Sequence, residues 1–76
     1  MSTQLRVGNS TATIKDAVTA TMNKSGSFDA IIELVSGHVR EVTIVALLND
    51  AFVGTRRNTG RDVLIPFHAV AMLEIL

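Results

Sequence analysis

The chain's reactive side chains are two histidines, seven acidic and seven basic residues; it has no cysteine and no tyrosine. His38 and His68 stand thirty positions apart with no companion at ligand spacing. Without thiolates this leaves neither a structural zinc site nor a disulfide. There is no Gly-rich phosphate loop and no Gly-x-Ser-x-Gly. The nearest carboxylates on one strand face, Asp29 and Glu33, point to solvent, where nothing would make one the acid and the other the base. The sequence therefore predicts neither an enzyme nor a cofactor or metal requirement. Binding chemistry remains. Arg56, Arg57 and Arg61 fall within six positions around Asn58-Thr59-Gly60. They read either as a solvated hairpin tip or as a phosphate-binding rim. A hairpin sets Arg56 or Arg57 opposite Arg61, and like charges repel there, which favours an anionic partner. The formal charge of zero argues against a dedicated, strongly basic nucleic-acid binder.

These residues sit on one small domain. A chain of 76 residues buries only about 60 % of its unfolded surface. Lacking disulfide and metal, it is expected to gain stability by oligomerising. The 47 % hydrophobic content fits side chains placed at a subunit interface. No apolar run reaches the roughly 18 residues of a membrane span. The start, MSTQLRVGNST, has no apolar signal-peptide core, so an intracellular, cytoplasmic protein without membrane contact is expected.

Residues 1–10 are polar and read as a loose N-terminus, and residues 11–76 as one domain. Ile14, Val18 and Met22 recur every four positions, flanked by Ala17 and Thr21, and predict a helix over 11–24. Ser10 or Thr13 is its candidate cap, and Ser25-Gly26 its stop. From residue 27 the period becomes two. Phe28, Ala30, Ile32 and Leu34 share a face. Ser36-Gly37-His38 forms a turn, with a positive φ expected at Gly37. Val39 to Leu48 begins one-sided and ends apolar on both faces, which predicts a bent strand. Asn49-Asp50 turns into a third strand, Ala51 to Thr55. Arg61 to Pro66 is a fourth strand and His68 to Ile75 a fifth, read from alternation against the helix propensity of its Ala, Met, Leu and Glu. The fold class expected is mostly β: an N-terminal helix, then a five-stranded, strongly bent antiparallel SH3-like barrel over 27–76.

Three pieces of sequence, in this order, resemble the Sm-like (LSm and Hfq) family. They are Ile32-Glu33-Leu34-Val35-Ser36-Gly37, then Thr43-Ile44-Val45-Ala46 with Asp50-Ala51-Phe52-Val53, then Ile65-Pro66-Phe67-His68-Ala69-Val70. The His-Ala-Val is close to the His-Ala-Ile of Hfq. The resemblance spans about residues 28–76. It implies a homo-oligomeric ring of about five to seven subunits, in which the fourth strand of one copy pairs with the fifth of the next. It also implies single-stranded RNA held at the pore. Asp50 stands for the family's loop aspartate. Gly54 falls near the place of its asparagine, and Pro66-Phe67 takes the place of its Arg-Gly. Asp50, Phe52 and His68 form the implied RNA site, with Phe67 as a stacking surface worth about 1–3 kcal/mol per base. Each has a structural alternative: Asp50 as a turn residue, His68 as a turn or interface histidine, and the phenyls as core. A structural or adaptor ring that binds protein partners without RNA is the alternative function.

Overall fold

The change of period near residue 27 divides the molecule into a helix and a sheet. The computed structural model describes residues 3–6 and 11–76. Its elements are β1 (Thr3–Arg6), α1 (Thr11–Ser25), β2 (Phe28–Leu34), β3 (Val39–Leu47), β4 (Ala51–Arg56), β5 (Asp62–Pro66), one 3-10 turn (Phe67–Ala69) and β6 (Val70–Ile75). Ile14 and Val18 are fully buried and Met22 packs beside them, so the four-residue spacing is the buried stripe of α1. Gly26, at φ +72, donates its N–H to Met22 O at 2.8 Å and ends the helix. Thr13 lies inside α1, not at its cap; Ser10 is outside the described residues. The hydroxyls of Thr19 and Thr21 donate to Lys15 O and Ala17 O, which gives these weak helix formers partners within the helix.

Among the described residues the strands form one antiparallel sheet in the order β1-β6-β2-β3-β4-β5. Its end strands do not pair with each other, so by hydrogen bonding it is open, where a closed five-stranded barrel was expected. The N-terminal segment differs from expectation as well. Thr3–Arg6 is a strand on the outer edge of β6, with Thr3 opposite Ile75 and Arg6 opposite Met72. Residues 1–2 and 7–10 lie outside the described residues.

One sheet face makes the core. Phe28, Ala30 and Ile32 of β2, Val42 and Ile44 of β3, Phe52 of β4, Ile65 of β5 and Leu73 of β6 all turn inward against Ile14 and Val18. The predicted bend in β3 is a register shift between Ile44 and Ala46, which leaves Val45 39 % exposed. This explains why the sequence there is apolar at successive positions. The fifth predicted strand is β6, preceded by the 3-10 turn. Gly37 has φ +94 in the β2–β3 turn. Pro66 ends β5, an edge strand, where its missing N–H costs no ladder bond. None of the helices among the described residues is long and apolar enough to cross a membrane.

Gly54 sits inward on β4, opposite Ile44. A Cβ there would stand 3.0 Å from Val42 Cβ and 3.1 Å from Val42 Cγ2. Val42 is fully buried and β-branched, so it cannot rotate away. Gly54→Ala is expected to lose about 1–3 kcal/mol of stability in urea denaturation. An unchanged midpoint would show that β3 and β4 move apart at no cost.

Candidate nucleic-acid interface

The turn between β3 and β4 and the turn between β5 and β6 meet at one end of the sheet. Leu48 N–H donates to Ala51 O at 2.8 Å across Asn49-Asp50. Phe67 N–H donates to Asp50 O at 2.9 Å and ties the two turns together. Helix α1 joins them: Lys15 Nζ donates to Asn49 O at 2.6 Å and to Asn49 Oδ1 at 3.3 Å. Asp50 and the Phe67-His68 turn, far apart in sequence, are thus neighbours. Lys15 and Asn49 were not anticipated. Lys15 lies thirty-four positions from Asn49, and no local pattern connects a helix lysine to a distant turn.

Burial divides the predicted residues. Asp50 and His68 are exposed. Phe52 is fully buried and Phe67 is 3 % exposed. Their rings pack on each other at 5.4 Å between centroids, tilted by 49°. In the single chain both rings are part of the buried core. The polar surface offered to a ligand at this end is Lys15, Asn49, Asp50 and His68.

The three arginines are also divided. Arg56 N–H donates to Arg61 O at 2.8 Å, so these two residues are directly opposite across the β4–β5 hairpin. Gly60, at φ +71, closes the loop by donating its N–H to Arg56 O at 2.7 Å. Arg57 belongs to the other face. Its Nη1 lies 2.8 Å from Asp29 Oδ2 and 3.5 Å from Glu41 Oε1. Asp29 in turn accepts from Thr43 Oγ1 at 2.7 Å. With both partners about half exposed, this ion pair contributes at most about 1 kcal/mol. It nevertheless compensates the charge of Arg57 and removes it from a phosphate-binding set.

No protein-family model, no curated protein and no solved structure matches the chain.

If the phenyls are core and the loop residues are surface, substitution must separate them. Phe67→Ala is expected to cost about 3–5 kcal/mol, a large part of a small domain's stability. His68→Ala is expected to change stability by no more than about 0.5 kcal/mol. Chemical denaturation of both variants checks this; equal losses would place His68 in the packing.

Proposed function

We propose that the chain is an Sm-like, ring-forming protein that binds single-stranded RNA at the joined β3–β4 and β5–β6 turns. The observation that carries this reading is the junction itself. One backbone hydrogen bond, Phe67 N–H to Asp50 O, brings Asp50 and His68 together at the end of a sheet ordered β1-β6-β2-β3-β4-β5. Lys15 and Asn49 extend the polar surface beside them. With no open aromatic face, RNA contact here is polar: His68 and Lys15 toward phosphate or base, Asn49 and Asp50 toward base edges. The sheet's strong bending into an SH3-like barrel belongs to this reading.

Assembly is supported by the free edge. Among the described residues β5 pairs only with β4, and its Leu64, opposite Val53, is 62 % exposed. An edge strand with an exposed leucine is a liability unless another chain covers it. A ring covers every such edge with an identical neighbour. The strand that the neighbour would use, β6, carries β1 on its outer edge in the single chain. Assembly through β6 therefore exchanges an intramolecular strand for an intermolecular one.

A second reading, an adaptor ring that binds protein and no RNA, is favoured by the burial of Phe52 and Phe67. Titration with oligo-uridylate and oligo-adenylate at low salt separates the two. RNA binding that weakens in Asp50→Ala and His68→Ala supports the first; no binding at micromolar protein supports the second and overturns the first. Light scattering tests the ring, which requires a multiple of the 8.2 kDa chain. Leu64→Lys should dissociate the assembly while leaving the fold intact, because Leu64 is outside the core. Leu73→Lys, at a fully buried position, should unfold the chain. Removing residues 1–6 should lower the concentration needed for assembly. A monomer at high concentration, with and without residues 1–6, overturns the ring.

A further inference from the structure

The register places three arginines on one surface at the far end of β4 from the joined turns. Inward positions of β3 are Arg40, Val42 and Ile44; of β4, Phe52, Gly54 and Arg56; of β5, Arg61, Val63 and Ile65. Val42 is opposite Arg56, and Arg56 is opposite Arg61 through the Arg56 N–H to Arg61 O bond. Arg40 is then the diagonal neighbour of Arg56, close enough for long side chains to meet. Where the core ends, its face continues as Arg40, Arg56 and Arg61. Arg40 and Arg56 are half-buried, so their stems lie on the core rim while the guanidinium groups reach solvent.

Little on the molecule answers this charge. Arg40 Nη1 donates to its neighbour's carbonyl, Val39 O, at 3.0 Å. Among the described residues the side chains of Arg56 and Arg61 have no hydrogen bond or ion pair. The carboxylates nearby are engaged elsewhere: Asp62 accepts from Thr55 Oγ1 at 2.7 Å, and Asp29 and Glu41 face Arg57. An open groove of about 420 Å³ lies between the start of β3 and the end of β4, lined by Val39, Arg40, Glu41, Arg56, Arg57 and Asn58. Its one carboxylate among the described residues, Glu41, faces Arg57, which leaves Arg40 and Arg56 as the uncompensated guanidinium groups of the groove, with Arg61 beside it.

We propose that this groove is a phosphate-binding site, distinct from the Asp50–His68 turns and independent of the ring. The guanidinium fork matches phosphate oxygens in pairs. Two half-buried, neighbouring arginines rest their stems on the core rim, and an anion between them relieves their mutual repulsion. The groove is open and has no aromatic lining, so it takes the phosphates of an extended oligophosphate or phosphodiester chain and not a base. β4 advances about 3.3 Å per residue, which puts Arg56 roughly 20 Å along the strand from Asp50.

Amide chemical shifts recorded during titration with sodium pyrophosphate test the site. Shifts are expected at residues 39–42 and 55–61 and not at residues 49–51 and 66–69. The double variant Arg40→Gln/Arg56→Gln should weaken pyrophosphate binding by roughly tenfold or more with an unchanged thermal midpoint. Arg61→Gln, at an exposed position, should give a smaller loss and guards against a double variant that fails to fold. Asp50→Ala should bind pyrophosphate as the wild type does, so failure of the loop site and failure of this site are told apart. Competition with oligo-uridylate identifies the source of the phosphate: displacement assigns a nucleic-acid backbone, and no displacement a free oligophosphate. Amides 39–42 and 55–61 that stay in place at millimolar pyrophosphate, or Arg40 and Arg56 variants that bind as tightly as wild type, overturn the proposal.

Discussion

The contact between Phe52 and Phe67 is the interaction on which most of the molecule depends. It joins β4 to the 3-10 turn that follows β5, at 5.4 Å between ring centroids. A tilted pair at this distance adds about 0.5–1.5 kcal/mol beyond the burial of the rings. Its larger effect is positional. With Phe67 drawn into the core, its N–H meets Asp50 O, and the β3–β4 turn is fixed to the β5–β6 turn. The same turn is covered by α1, whose Lys15 reaches Asn49. Core packing thus brings four polar side chains together, and it does so by withdrawing the two aromatic rings that a nucleic-acid surface would otherwise display.

Strand alternation explains how a chain of zero net charge acquires charged surfaces. Five of its acidic residues, Asp29, Glu33, Glu41, Asp62 and Glu74, fall on the outward positions of the sheet, with Arg57 among them. Arg40, Arg56 and Arg61 fall on the inward positions, beyond the last core residues. Total charge therefore says little about partners here. The electrostatic character of each surface is set by parity, and a single-residue slip in β4 would exchange the roles of Arg56 and Arg57.

Helix α1, its Gly26 stop, and β2 to β6 were legible because their signals are local. Ile14, Val18 and Met22 mark a helical stripe, and Phe28, Ala30 and Ile32 mark a strand face. The features that escaped are those decided at long range. Thr3-Gln4-Leu5-Arg6 is short and polar, and its pairing with residues 72–75 has no local signature. Alternation puts Arg56 and Arg57 on opposite faces, but which of them continues the core face depends on the β3–β4 register, which shifts between Ile44 and Ala46. Whether a phenylalanine is platform or core depends on what covers it. Phe67 stands next to an exposed histidine, and the sequence gives no sign that the covering elements are β4 and α1.

The strand order also constrains how the molecule meets other molecules. β6 is paired on both sides, by β1 and β2, and only the short β1 separates it from the sheet's edge. β5 is paired on one side, ends in a proline, and carries an exposed leucine. Proline at the end of an edge blunts one extension of the ladder, while Leu64 invites apolar contact beside Val53. Among the described residues, the sheet's unpaired backbone is therefore confined to β1 and β5, at opposite ends of a single order. Copies joined end to end must use β5 with either β1 or the edge of β6 beneath it. Because β1 is four residues long, its release forfeits few ladder bonds. The exchange of one strand for another can be close to balanced, and small changes at the N-terminus can decide between a single chain and an assembly.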